Sequence, residues 1–271
     1  MKKRTMSLLL CVLMISLFTA CGGGAAETSG GESEIVPFEK HTIPYPEGYD
    51  TMSSGASCYD GCDDHFGSPY FAHLDVYNMT STDTLTILPN FETYQQTTEY
   101  TCGPASALMV LNHYGVTDYD ELKIAEMSGT SEDTGIGPAG LVTFFDAIGW
   151  NTESNLDQEG EYTFEDPYDF ENQDSFIPWV LSHLETGTPI MVDWLDWAGH
   201  WQVIIGYDTM GTDDNFGDDV IIFADPYDTS DQYQDGYYIF SAERFFYMWR
   251  EGVYEGEGPL QQPWVIATPA E

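Results

Sequence analysis

Residues 100–106 read Tyr-Thr-Cys-Gly-Pro-Ala-Ser and begin a helical pattern. Pro104 suits the first turn of a helix, where its missing backbone N–H is not needed. Gly103 allows a neighbouring backbone to approach closely because it has no side chain. Apolar residues then recur at helical spacing. The stretch predicts a helix over residues 102–114, with Cys102 at its N-terminal end.

Cys102 is a candidate nucleophile because of this position. The positive end of the helix dipole and the unpaired amide donors of the first turn favour a thiolate over a thiol. The thiolate is the reactive form of cysteine. The alternative is a buried core cysteine, which is the commoner role of a free cysteine in general.

Of the six histidines, His200 is the candidate base. It lies at the start of Gly199-His-Trp-Gln-Val-Ile-Ile-Gly-Tyr-Asp208, which predicts a strand preceded by a glycine-containing loop. His113 is near the far end of the helix that Cys102 begins, about 16 Å away along the axis. His183 is near a helix C-terminus, where the dipole favours a cation for structural reasons. The other three fall in an irregular N-terminal region: His41, His65 and His73.

Asp225 ends the next predicted strand and is the candidate partner of His200. We expect the two strands to form an antiparallel hairpin in a register that pairs Val203 with Ile222. This register brings Asp225 opposite His200, where the carboxylate would orient the imidazole and stabilise its protonated form. The alternative is a turn aspartate before Pro226.

Acyl transfer also requires donors for the negatively charged oxygen of the intermediate. Gln96 lies six residues before Cys102, and its side-chain amide is the candidate donor beside the Cys102 backbone N–H. Gln95 is the competing candidate. A solvated polar pair in a loop is the alternative for both residues.

The order of the predicted elements indicates an α+β domain, with helices first and antiparallel strands afterwards. The predicted helices cover residues 102–114, 120–127, 138–148, 174–184 and 241–249. The predicted strands cover residues 189–194, 200–207, 220–224, 237–240 and 264–267.

Taken in order, these motifs resemble family 39 of the cysteine peptidases, which are papain-like enzymes. The likeness covers about residues 91–250. The motifs that carry it are Gln96-x5-Cys102-Gly-Pro-Ala-Ser, Gly199-His200-Trp-x-Val-Ile-Ile-Gly-Tyr-Asp and Ala224-Asp225-Pro226.

The resemblance implies a papain-like cysteine proteinase fold, in which the helix of the nucleophile packs on a C-terminal antiparallel sheet. It implies Cys102 as the nucleophile, His200 as general base and acid, Asp225 as the residue that orients the imidazole, and Gln96 as the oxyanion donor. The best-known members remove double-glycine leaders while attached to an ATP-driven transporter. This sequence shows no membrane-spanning or nucleotide-binding part, so we do not expect the leader substrate.

The N-terminus predicts a lipoprotein signal peptide. Lys2, Lys3 and Arg4 precede a short apolar segment, and Leu-Phe-Thr-Ala-Cys at residues 17–21 resembles a bacterial lipobox with Cys21 as the lipidated residue. The alternative is an ordinary secretory peptide in which Cys21 is incidental. We expect an extracytoplasmic protein that is anchored to the bacterial cell membrane only through this lipid. The expected organisation is a signal peptide (1–20), a flexible tether (21–36), an irregular N-terminal extension (37–90) and the peptidase domain (91–271).

The charge balance excludes some partners. The chain has 46 acidic and 7 basic residues, a formal charge of −39. Removal of residues 1–20 would take away three basic residues and no acidic residue, leaving −42. Nucleic acid is therefore not an expected partner, because phosphate binding needs a basic surface. We expect a monomer that acts on a peptide or protein substrate, with no cofactor. The acidic surface slightly favours a peptide that is cationic or at least not strongly anionic.

Cys58 and Cys62 are the other two cysteines of the mature chain. A local disulfide is the favoured prediction for an oxidising compartment. The alternative is a metal site with His65 and His73. Two acidic stretches, residues 213–219 and 225–235, suggest calcium but lack the EF-hand spacing, and solvated turns are the favoured interpretation.

These features together predict a cell-surface cysteine peptidase that cleaves a peptide or amide bond through a thioester. Two alternatives remain on the same scaffold. One is a thiol acyltransferase, in which an amine resolves the thioester, and the other is a catalytically silent binding module.

Overall fold

The computed structural model describes residues 39–59, 74–156, 170–195, 199–212, 214–230, 233–249 and 261–270. The helices in these ranges are α1 (Cys102–His113), α2 (Glu121–Ser128), α3 (Pro138–Ala147), α4 (Gln173–Glu185) and α5 (Ala242–Met248). The strands are β1 (Leu85–Ile87), β2 (Asn151–Ser154), β3 (Ile190–Trp194), β4 (His200–Asp208), β5 (Val220–Ala224), β6 (Tyr237–Ser241) and β7 (Trp264–Thr268). Single turns of 3-10 helix occur at Ala56–Tyr59, Val76–Asn78 and Phe216–Asp218.

The strands form one antiparallel sheet in the order β2-β7-β3-β4-β5-β6, and β1 pairs with the end of β4. Every residue of β3 is buried, and so is every residue of β4 except Asp208. Successive residues of a strand point to opposite faces, so both faces of the sheet are covered at its centre. The apolar runs that predicted these strands reflect this two-sided burial.

The α+β class is confirmed, with mixed helices and an antiparallel sheet. Strand β2 was not predicted, because the sequence Asn-Thr-Glu-Ser has no apolar pattern. Its four residues instead pair with β7 at the edge of the sheet, from Asn151 opposite Thr268 to Ser154 opposite Val265. Tertiary pairing therefore determines this strand, and local propensity does not.

The region before residue 91 contributes to the same body as the rest. Residues 37–271 form one compact unit. Strand β1 pairs with the end of β4, Thr42 bridges to Thr93, and Ala56 is completely buried. The predicted signal peptide and tether lie outside the described residues. None of the helices in the described ranges has the length and apolar character that a membrane crossing requires.

Helix α1 packs against β4 at its N-terminal end. A Cβ atom on Gly103 would lie 2.4 Å from Cγ2 of Ile136 and 3.3 Å from Cδ1 of Trp201, so only glycine fits between them. The Trp201 indole N–H donates to the carbonyl of Ile136 at 2.8 Å, and the hydroxyl of Ser106 donates to the carbonyl of Trp201 at 3.2 Å. This close packing fixes the start of α1 beside the start of β4.

Candidate active site

The structure brings Cys102 and His200 together through these two elements. Cys102 is the first residue of α1, and His200 is the first residue of β4. Cys102 and His200 line the same cavity, and the interaction between them helps to raise the pKa of the His200 ring. Nε2 of the ring lies 2.6 Å from Oδ1 of Asp225. The other ring nitrogen, Nδ1, is therefore the one available to exchange a proton with the Cys102 sulfur.

Asp225 directly follows β5 and is positioned by its neighbours. Its backbone N–H donates to the carbonyl of Gly236 at 2.8 Å, and its Oδ1 also accepts the backbone N–H of Tyr227 at 2.8 Å. Only 5% of the surface of Asp225 and 6% of that of His200 are exposed. The pair is therefore shielded from water, while Cys102 is only half-buried.

The predicted hairpin register is wrong by two residues, although the predicted pair forms. Val203 lies opposite Ala224, not Ile222, and a bulge separates Ile204 from Gly206. Continuing this register would place Asp225 opposite Gln202, diagonal to His200. Between the bulge and His200 the shift is two residues, which keeps the side chains on their faces of the sheet. A diagonal neighbour remains within reach of a long side chain.

The pKa of His200 lies well above its usual value of 6.5. Desolvation of the buried ring lowers the pKa, but the negative charge and hydrogen bond of Asp225, together with the hydrogen bond and charge of Cys102, raise it by more. The raised pKa favours the positively charged form of the ring, with a proton on both nitrogens. Its positive charge lies between the carboxylate and the sulfur.

The two glutamines before Cys102 have different roles. Gln95 donates from Nε2 to the carbonyl of Asp225 at 2.8 Å and accepts the backbone N–H of Asp228 at 3.0 Å through Oε1. It therefore braces the loop that carries the carboxylate. Gln96 lines the same cavity as Cys102 and His200, and its Nε2 donates to the carbonyl of Thr98 at 2.7 Å. An amide nitrogen has two N–H groups, so the second remains for a substrate oxygen.

A cavity of about 510 Å³ lies next to the sulfur. This volume is within the usual range of small-molecule and peptide sites, about 300–1,000 Å³. Tyr59 forms part of the wall, so residues before the family motifs contribute to the site. The lining residues are Tyr59, Gln96, Glu99, Cys102, Gly199, His200, Tyr227 and Thr229.

Sequence reasoning missed the buried carboxyl group of Glu121, in the first turn of α2. Its Oε1 accepts the backbone N–H of Thr97 at 2.9 Å and the hydroxyl of Thr101. Its Oε2 accepts the hydroxyls of Tyr94 at 2.9 Å and Thr97 at 2.7 Å. Glu121 thus ties down the loop that carries Gln96 and leads into Cys102. The signal available was a single acidic residue at a helix start, which usually indicates capping.

The structure describes only some of the other predicted site residues. Cys58 forms no disulfide with the other described cysteine, Cys102, and its sulfur lies 3.1 Å from the carbonyl oxygen of Gly55. Cys21, Cys62, His65 and His73 lie outside the described residues, so the lipid, the disulfide and its metal alternative stay predictions. Among the described residues, no cluster of His, Cys, Asp or Glu is arranged to hold a metal ion.

Glu121→Gln should cost about 1–3 kcal/mol of unfolding free energy near pH 5, because the amide nitrogen cannot accept the donors that the carboxyl oxygen accepts. Burial raises the pKa of Glu121 above 4.5, although the hydrogen bonds from Thr101, Thr97 and Tyr94 oppose this shift. The folded state therefore holds the Glu121 proton more tightly than the unfolded state. The contribution of Glu121 to stability falls as the pH rises from about 4.5 through the raised pKa.

The measurement is urea unfolding of the wild type and Glu121→Gln between pH 5 and pH 8. The stability difference between them should shrink as the pH rises. Glu126→Gln, an exposed change on the same helix, is the matched control and should alter stability by less than about 0.5 kcal/mol. A difference between wild type and Glu121→Gln that grows with pH would contradict the assignment.

The model of the Peptidase_C39 like family matches residues 88–255. The peptidase domain of Streptococcus ComA, described as a bi-functional ABC transporter involved in a quorum sensing pathway, is 20% identical with a TM-score of 0.44, over 66% of this chain and 99% of that chain. The peptidase domain of Streptococcus mutans ComA is 18% identical with a TM-score of 0.33, over 65% of this chain and 98% of that chain.

No curated protein matches the chain. The family match covers more than half of the sequence, and the papain-like fold expected from the motifs is confirmed. The chain belongs to the Peptidase_C39 like family.

Proposed function

We propose that the protein is a cell-surface cysteine peptidase that cleaves a peptide or amide bond through a thioester on Cys102. Membership of the family supports papain-like cysteine peptidase activity. The observation that carries the proposal is the buried hydrogen bond between Asp225 and His200, at a cavity that His200 lines together with Cys102. A nucleophile, a base and a residue that orients the base are the minimum set for covalent acyl transfer.

In the first step, the sulfur of Cys102 attacks the carbonyl carbon of the bound substrate as a thiolate. The carbonyl oxygen becomes negatively charged, and the backbone N–H of Cys102 and the free N–H of Gln96 stabilise it. The negative oxygen then re-forms the carbonyl as the C–N bond breaks. Nδ1 of His200 gives its proton to the departing amine, and the acyl group remains as a thioester on the sulfur.

In the second step, neutral His200 takes a proton from a water molecule, which attacks the thioester carbonyl. Collapse of this second intermediate releases a carboxylic acid and the Cys102 thiolate, and His200 is again protonated. Asp225 stays ionised throughout and holds Nε2, so that Nδ1 always faces the sulfur. Burial of the pair restricts other orientations of the ring.

Replacement of His200 tests whether the thiol is activated. An ordinary thiol with a pKa of about 8.5 is about 3% ionised at pH 7, so full ionisation would raise its alkylation rate by up to about 30-fold. We expect iodoacetamide to label Cys102 at least about tenfold more slowly in His200→Ala than in the wild type at pH 7. Labelling is followed by mass spectrometry of the Cys102 peptide.

His183→Ala is the matched control, because His183 lies on α4 and does not line the cavity. It should label at the wild-type rate. Equal labelling rates for the wild type and His200→Ala would count against an activated nucleophile.

The two glutamines provide a second test. Gln96→Ala should slow acylation by p-nitrophenyl acetate by about 10²–10³-fold, because one oxyanion donor is lost. It should leave alkylation by iodoacetamide unchanged, since that reaction forms no oxyanion. Gln95→Ala should slow both reactions, because Gln95 holds the carbonyl of Asp225. The converse pattern, with alkylation slowed only by Gln96→Ala, would reverse the two assignments.

We also propose that a lipid on Cys21 anchors the protein to the outside of the cell membrane. The proposal rests on the lipobox-like residues 17–21 and the following Gly-rich segment. Mass spectrometry of the mature protein purified from a bacterial membrane should show residues 1–20 removed and an acylated Cys21. A mature chain that begins elsewhere, with an unmodified N-terminus, would exclude the anchor.

A further inference from the structure

Among the described residues, the lining of the cavity beside Cys102 includes an acidic side chain. Of the described residues that line the cavity, only Glu99 has a carboxylate, and none is Lys or Arg. The carboxylate of Asp225 lies 2.6 Å from the His200 ring and balances a positive charge on it. The negative charge of Glu99 therefore sets the sign of the potential that a substrate group meets in the cavity.

The carboxylate of Glu99 is exposed but held in a fixed orientation. Its Oε1 accepts the backbone N–H of Gly55 at 2.9 Å, and its Oε2 accepts the hydroxyl of Tyr227 at 3.1 Å. Desolvation and the hydrogen bond to Glu99 raise the pKa of Tyr227, so its hydroxyl stays protonated and donates. Each carboxylate oxygen can accept more than one hydrogen bond, so acceptor capacity remains for a ligand.

Two aromatic rings accompany this carboxylate in the cavity. The ring centroids of Tyr59 and Tyr227 lie 6.3 Å apart, with the planes tilted by 57°. Tyr59 is 48% exposed, so much of its surface is available to a ligand. Aromatic faces attract cations within about 6 Å. A carboxylate with adjacent tyrosine faces favours a positive group over a neutral group of the same shape.

The wall that carries Tyr59 is well supported. The backbone N–H of Ser57 donates to the carbonyl of Gln96 at 3.0 Å, and the Nε2 group of Gln234 donates to the carbonyl of Ala56 at 2.7 Å. A Cβ atom on Gly55 would lie 2.5 Å from the backbone of Thr97. These contacts hold the turn before Tyr59 against the loop that leads to the nucleophile.

We propose that Glu99, Tyr59 and Tyr227 form a subsite that binds the cationic side chain of a Lys or Arg residue of the substrate, beside the bond that is cleaved. The inference rests on the proposed peptidase function and adds its substrate class. The formal charge of −39 over the chain acts in the same direction, since it attracts basic peptides to the surface. Tyr59 comes from the region before residue 91, so that region contributes to selectivity.

The test compares two methanethiosulfonate reagents that label Cys102 in the full-length protein. One carries a trimethylammonium-ethyl group, and the other carries its neutral isostere, a 3,3-dimethylbutyl group. We expect the cationic reagent to react faster with the wild type. Glu99→Gln should lower the ratio of the two rates about two- to fivefold, the factor that a partly exposed ion pair typically contributes. Mass spectrometry of the Cys102 peptide measures both rates.

Two variants separate the subsite from other effects. Glu185→Gln makes the same charge change at an exposed position that does not line the cavity, and it should leave the ratio unchanged. Tyr227→Phe keeps the Glu99 charge and the ring but removes one hydrogen bond that orients the carboxylate, so it should lower the ratio by less than Glu99→Gln does. If Glu99→Gln leaves the ratio unchanged, or if Glu185→Gln lowers it equally, the subsite is overturned.

The same reagents distinguish failure of the subsite from failure of the peptidase. If the ratio of the two labelling rates depends on Glu99 but the rates do not depend on His200, the cation subsite is supported and the peptidase mechanism is overturned. Labelling that depends on His200, with a ratio that does not depend on Glu99, would support the mechanism and overturn the subsite.

Discussion

The contact between His200 and Asp225 is the interaction on which the site depends. It joins the first residue of β4 to the residue that follows β5, and it lies almost entirely out of water. A buried imidazolium without a partner would be strongly unfavourable, because desolvation disfavours the charged form. The carboxylate offsets this cost and occupies one ring nitrogen, which leaves the second ring nitrogen available to Cys102. A change that moves the start of β4 or the end of β5 would therefore alter the charge state of His200.

The loop that leads into α1 is tied down from three directions. Glu121 holds it from α2, Gln95 links it to the carbonyl of Asp225, and Ser57 pairs with the carbonyl of Gln96. Each contact joins segments that are far apart in the sequence. Such cross-links reduce the freedom of the groups that must meet the substrate, which favours a preorganised site. The region before residue 91, which contains Ser57, therefore helps to position the residues of the site.

The sequence predicted those features that local patterns encode. Helix α1, strands β3 to β5 and the pairing of His200 with Asp225 follow from apolar periodicity and from a strand-end position. The register of the β4–β5 hairpin did not follow, because a bulge after Ile204 and a long loop decide it. Strand β2 and the buried role of Glu121 depend on partners distant in the chain. Residue type and spacing alone could not reveal either.

The protonation state of His200 tests the central claim most directly. Nitrogen NMR of the ring, followed between pH 5 and pH 9 in the full-length protein, distinguishes imidazolium from neutral imidazole. The structure predicts that both ring nitrogens of His200 still carry protons at pH 6.5, and that Asp225→Asn lowers the pH at which the ring loses its charge. A ring in the wild type that is already neutral at pH 6.5 would contradict the ion pair and the mechanism built on it.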